Sequence, residues 1–212
     1  LNQGLYPQAL AELSTALKYD DENPVIHNNI GIAYYVRGKY SEAETHLKRA
    51  IELNPKYTEA RNNLGRVLID MNLLPDAIEQ LKIADKDLVY PNPEKTKSNL
   101  GIAYFKTQQY VLAKNYLAES LKVRSQHCLT ASYYARSLYE LKKFEPSSIA
   151  FDQASNNCKS ENFDEPVFYA GMAYFKLHKN NLAIARFEEV LASYPNGLYA
   201  EQAQKMIKLI GK

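Results

Sequence analysis

Along residues 24–55, apolar side chains recur at three- and four-residue intervals in two blocks separated by a polar break. That period is the mark of amphipathic helices. The stretch reads PVIHNNIGIAYYVRGKYSEAETHLKRAIELNP and predicts two helices joined at Arg37-Gly38-Lys39. With Pro24 as position one, small residues occupy positions eight (Gly31), twenty (Ala43) and twenty-seven (Ala50). Larger apolar residues occupy seven (Ile30), eleven (Tyr34), seventeen (Tyr40) and twenty-four (Leu47). The small residues let two antiparallel helices approach closely, and the large ones fill the space around them. Pro55, at position thirty-two, stops the second helix because it lacks an N–H and its ring clashes with the preceding turn.

This spacing resembles the 34-residue tetratricopeptide (TPR) repeat. The resemblance implies an all-α TPR superhelix, or solenoid, of about six helix-turn-helix repeats. The pattern can be followed along the whole chain, which predicts a single solenoid over residues 1–212. A truncated first repeat covers 1–23, with Gly4, Tyr6, Ala9, Leu13 and Ala16 at positions fifteen to twenty-seven, so the natural chain is expected to start earlier. Repeats follow at 24–57, 58–93, 94–127, 128–163 and 164–197, and position twenty-four carries Leu47, Leu81, Leu117, Phe151 and Phe187 in turn. Two connections hold two extra residues each, one at Asp87–Pro93 and one within Asn156–Phe163. Residues 198–212 read as a capping helix, with Ala200, Ala203, Met206, Ile207 and Ile210 on one face. A repeat array needs such a cap because its last hairpin would otherwise expose apolar surface.

Composition narrows the function classes. Hydrophobic residues make up 46% of the chain, enough for a continuous core. With 26 basic and 24 acidic residues the net charge is +2, which gives no electrostatic case for nucleic acid. No apolar run approaches the roughly 18 residues of a membrane span. The eight glycines form no phosphate-binding loop, and His27, His46, His127 and His178 show no metal-ligand spacing. No nucleophile constellation is visible. The expectation is therefore a protein without catalytic residues, metal or cofactor, whose work is done by a surface.

In a TPR array the first helix of each pair lines the groove through positions two, five, six, nine, twelve and thirteen. Position six carries Asn29, Asn63 and Asn99, then Tyr133 and Tyr169; position five carries Asn28 and Asn62 in the first two full repeats. An asparagine amide both donates and accepts, so such a row can pair with the backbone of an extended peptide. The same row also fits a repeat residue that the position merely tolerates. Arg66 and Arg136 sit at position nine, with Asp70 and Glu140 one turn on, placed for local i,i+4 pairs. The expected partner-binding groove is thus Asn28, Asn29, Asn62, Asn63, Arg66, Asn99, Tyr133, Arg136 and Tyr169, polar at one end and aromatic at the other.

Cys128 and Cys158 stand at positions one and thirty-one of one repeat. An antiparallel hairpin brings those ends together, so a disulfide between them is expected, which implies an oxidising compartment. Two free thiols in a cytosolic scaffold are the alternative. The segment Tyr90-Pro91-Asn92-Pro93-Glu94, running into Asn99-Leu100-Gly101, resembles the corresponding segment of type IV pilus pilotins of the PilF/PilW/Tgl group. That resemblance implies a lipoprotein on the periplasmic face of the outer membrane, whose partner is a secretin subunit and whose role is secretin assembly. Membrane contact would then run only through a lipid anchor upstream of Leu1. The other reading is a cytosolic TPR scaffold for a signalling or motility complex.

Overall fold

The computed structural model describes residues 6–211, so the expected turn at Gly4 lies outside it. Among the described residues there are twelve α-helices, one short 3-10 helix and no strand. They fall into two compact units, Leu1–Ala103 and Tyr104–Lys212. The first holds α1 (Tyr6–Tyr19), α2 (Pro24–Val36), α3 (Tyr40–Leu53), α4 (Thr58–Asp70) and α5 (Leu74–Asp85). The boundary runs through α6 (Pro93–Lys106). The second holds α7 (Tyr110–Val123), α8 (Cys128–Glu140), α9 (Phe144–Cys158), α10 (Glu165–Lys176), α11 (Asn180–Ser193) and α12 (Ala200–Ile210). Within each unit successive helices pack side by side, the arrangement of the all-α TPR solenoid class.

The core is the predicted one. Leu47, Leu81, Leu117, Phe151 and Phe187 are fully buried, surrounded by alanine, serine or glycine at positions eight, twenty and twenty-seven except beside Phe187, where Val190 stands at twenty-seven. A methyl group added at Gly31 would stand 2.6 Å from the Leu47 side chain, so position eight there has no room for a Cβ. Where the pattern departs from alanine, serine keeps the fit: the Ser147 hydroxyl donates to the Ala135 carbonyl across the hairpin at 3.0 Å.

Each hairpin turns in the same way. Gly38, Asn72, Gln108, Lys142 and His178 all adopt left-handed backbone, with φ between 57° and 71°. The next residue then donates its N–H back to the preceding helix: Lys39 to Tyr34, Leu73 to Leu68, Gln109 to Tyr104, Lys143 to Leu138 and Lys179 to Tyr174, at 2.8–3.0 Å. This is the Schellman closure of a helix C-terminus. Only one of the five left-handed positions is glycine.

The two extended connections are built differently. In the first, Asp87 accepts from the Val89 N–H at 3.1 Å and from the Thr58 hydroxyl, and Tyr90 is buried beneath them. Leu88 and Val89 are left 95% and 88% exposed. Helix α6 then begins at Pro93, one residue before the expected boundary, because proline suits a first helical turn whose N–H groups have no partner. In the second, α9 runs on to Cys158, a 3-10 turn covers Lys159–Glu161, and Asn162 closes it with φ 52°. The C-terminal helix starts at Ala200 rather than 198. Leu198 stays exposed, and the Asp164 carboxylate accepts the Tyr199 N–H at 2.8 Å.

Candidate functional site

The asparagine row lies on α2, α4 and α6 of the first unit, and it is bonded to itself. The Asn63 amide donates to Asn28 Oδ1 at 2.9 Å, and the Asn99 amide donates to Asn62 Oδ1 at 3.0 Å. Asn28 in turn donates to Asn29 Oδ1 at 3.3 Å. Position six of one repeat therefore grips position five of the repeat before it. Asn28 and Asn62 are only 2% and 4% exposed, so the expectation that they meet a partner is corrected: they are internal acceptors between hairpins. A buried amide must be hydrogen-bonded, and the neighbouring repeat supplies the bond. Asn29 is exposed and Asn63 half-buried, so these two present amide edges to solvent, whereas Asn99 is largely covered.

Arg66 does not form the expected pair with Asp70. Its Nε donates to the Tyr35 hydroxyl at 2.8 Å, its guanidinium lies 5.5 Å from the centre of that ring, and the Tyr35 hydroxyl donates to Asp70 at 2.7 Å. Burial, helped by the bond to Asp70, raises the Tyr35 pKa and keeps the hydroxyl a donor. Beside this relay lies a cavity of about 330 Å³, lined by Ile32, Val36, Val67, Glu59, Asn63 and Arg66 among others. It offers apolar walls next to an amide and a guanidinium.

In the second unit Arg136 repeats the arrangement. Its guanidinium sits 5.1 Å from the Phe105 ring centre and 4.5 Å from that of Tyr169, and it pairs with Glu165 at 2.8 Å rather than with Glu140. Burial alone would weaken the Arg136 charge, but the Glu165 bond and the neighbouring Tyr169 outweigh it, and the pKa is raised. Cation–aromatic contacts gain strength when desolvated in this way. Tyr133 meets Phe105 edge-on at 5.1 Å. Tyr169 is packed on several sides, stacked on Phe151 at 5.7 Å and edge-on to Tyr139 and Tyr199. The Tyr199 hydroxyl is pushed up by burial and then by Glu165, so it remains protonated.

Both arginines therefore lie over the aromatic residue 31 positions earlier, Tyr35 and Phe105, which are position twelve of the preceding repeat. Sequence reasoning named position twelve as part of the groove and missed this pairing. An aromatic at twelve followed by arginine at position nine of the next repeat was the available signal. Glu165, at position two, was missed for the same reason: its partner belongs to the neighbouring hairpin.

Cys128 and Cys158 form a disulfide, with Cα atoms 4.9 Å apart, tying the start of α8 to the end of α9. Among the described residues no group of three histidine, cysteine or acidic side chains could hold a metal. Among the same residues no helix is long and apolar enough to cross a membrane.

Family models bear directly on the repeats. Those for the tetratricopeptide repeat match residues 24–57 and 167–197, and a further TPR repeat model matches residues 1–36. The type IV pilus assembly protein PilF of Pseudomonas aeruginosa is 23% identical over 152 residues, which is 72% of this chain and 60% of that protein. This chain thus spans less than two thirds of that relative's length. In structure, P. aeruginosa PilF superposes with a TM-score of 0.82 at 19% identity, covering 96% of this chain and 90% of that one. PilW, described as a widely conserved type IV pilus biogenesis factor, gives 0.81 at 21% identity, covering 98% and 91%. YrrB, a TPR protein with an unusual peptide-binding site, gives 0.71 at 16%, covering 91% and 97%. Repeat pattern, hairpin packing and family models agree: the chain carries tetratricopeptide repeats, matched by the models at residues 1–57 and 167–197, and is similar in sequence to PilF and in fold to both PilF and PilW.

Proposed function

We propose that this protein is a type IV pilus pilotin, a binding module that supports assembly of an outer-membrane secretin and performs no chemistry itself. The observation that carries the reading is the sequence likeness to PilF over 72% of the chain, to which the Tyr90–Glu94 connection adds the pilotin-like segment. The disulfide supports a periplasmic setting, since such bonds persist in oxidising compartments. A lipid anchor would hold the protein at the outer membrane.

The partner segment, from a secretin subunit, lies along the first helices of the hairpins. In the first unit Asn29, Asn63 and Arg66 offer polar contacts beside the apolar cavity, and the ladder through Asn99 fixes their spacing. In the second unit Tyr133, Arg136 and Tyr169 form a preorganised aromatic and cationic surface of the kind that anchors interfaces. Binding stabilises the assembly-competent subunit by mass action.

The test deletes the gene and follows heat- and detergent-resistant secretin multimers by gel. Multimers are expected to disappear and to return with the wild-type gene. They should not return with an Arg66→Glu/Tyr133→Ala variant that retains its helical circular dichroism. Normal multimers and pili in the deletion strain, with no second pilotin present, would replace this reading with that of a cytosolic scaffold.

A further inference from the structure

The charge of this chain is unevenly spread. Residues 110–143 contain Lys114, Lys122, Arg124, Arg136, Lys142 and Lys143 against only Glu119 and Glu140, a net +4 where the whole chain has +2. The same stretch borders a furrow in the second unit. Two cavities of about 490 and 310 Å³ share Ala118, Lys122 and Tyr134 and lie between α7 on one side and α8 and α9 on the other. Lys114, Lys122 and Lys143 line the larger cavity. Glu119 is on the same wall, but the three ammonium groups make no ion pair among the described residues. Asn115, Ser125, Gln153 and Asn157 add polar groups to the lining, and the rest is apolar or aromatic, chiefly Tyr134 and Leu138.

Lysines without an acidic partner, gathered around a concave wall, focus a positive potential into it. The shape then selects among anionic partners. A bilayer surface is flat and would bridge the rims without reaching the floor. An extended peptide fits. From Lys114 to Lys122 the wall of α7 runs about 12 Å at 1.5 Å per residue, the span of about four residues of extended chain. In such a chain alternate side chains point to opposite sides, so one set can lie on the floor while the other reaches the lysines.

We infer that the furrow between α7 and the α8/α9 hairpin binds an extended acidic segment of a partner protein, with apolar residues alternating with the acidic ones. The inference goes beyond the groove reading above, because that groove is formed by the first helices of the hairpins and shares none of these lysines.

Fluorescence anisotropy on the full chain tests it, with a labelled peptide of alternating glutamate and leucine as the probe. The peptide should bind, lose affinity as salt screens the lysines, and bind about tenfold more weakly to Lys114→Gln/Lys122→Gln/Lys143→Gln. A peptide of alternating glutamine and leucine should not bind. Lys122 and Lys143 are exposed and Lys114 is half-buried; an unchanged circular-dichroism melt confirms the variant's fold, and a single Lys122→Glu reversal gives an independent reading. Equal binding by the triple variant or by the glutamine peptide overturns the proposal, as does tighter binding to phosphatidylglycerol vesicles than to the acidic peptide. Arg66→Glu/Tyr133→Ala should leave peptide binding unchanged, so failure here and failure of the pilotin reading are separable.

Discussion

His27 and His46 approach through their Nδ1 atoms, 3.1 Å apart, while His27 Nε2 lies 3.0 Å from the Asp21 carbonyl. A carbonyl only accepts, so His27 carries its proton on Nε2 and its Nδ1 accepts from His46. His46 also stacks on Tyr34, with ring centres 5.7 Å apart. Burial first, and then the facing His27, lowers the His46 pKa below the usual 6.5. The folded state therefore binds this proton less well than the unfolded chain does. The stability this gives is fully present above pH 6.5 and is lost as pH falls toward the depressed folded value. Thermal melts of the wild type should show the first unit weakening below pH 6.5, and His46→Gln should flatten that slope. The histidines were visible in the sequence, but 19 residues separate them and neither belongs to a recognisable spacing. Asn62 and Asn99 teach the same lesson. Their repeat positions were legible, yet whether an amide faces a partner or the next hairpin depends on a contact 37 residues away.

At the scale of the helix and its turn, four left-handed positions are held by Asn72, Gln108, Lys142 and His178. A side chain other than glycine in this conformation costs about 1–2 kcal/mol, less for asparagine. Replacing Gln108, Lys142 or His178 by glycine should therefore stabilise the protein by about 1 kcal/mol each, offset in part by the greater freedom of the unfolded chain. Urea titration checks it through a raised midpoint at unchanged slope. Helix positions were readable because a period of 3.6 leaves its trace in every hairpin. The turns were readable as breaks, but not as left-handed, since glycine marks only the first of the five. Arg66 and Arg136 illustrate the limit of local rules. Each has a carboxylate four residues on, and each instead reaches an aromatic ring of the preceding hairpin, where the Arg136 charge is partly removed from water and that of Arg66 stays exposed.

Across the whole molecule the repeats are not equally secured. The second unit alone has the Cys128–Cys158 bond, which closes a loop with a sequence separation of 30 residues. Chain-entropy arguments put such a cross-link at about 3–4 kcal/mol. The Cys128→Ala/Cys158→Ala double variant, or the wild type in reductant, should lose roughly that much stability in the second unit, seen as a lowered denaturant midpoint. The first unit should melt as before. Its own security lies elsewhere, in contacts that bridge the Asp87–Pro93 connection: Asn62 with Asn99, and Asp85 with Lys97 at 3.3 Å. Those contacts span the loop on which Leu88 and Val89 stand almost fully exposed. The backbone there is the natural point of attack for a protease that recognises aliphatic side chains. A cut between Leu88 and Val89 would leave the two fragments clasped by the same pair of contacts, so the chain can be nicked, or an epitope spliced in, where two residues have already been accommodated.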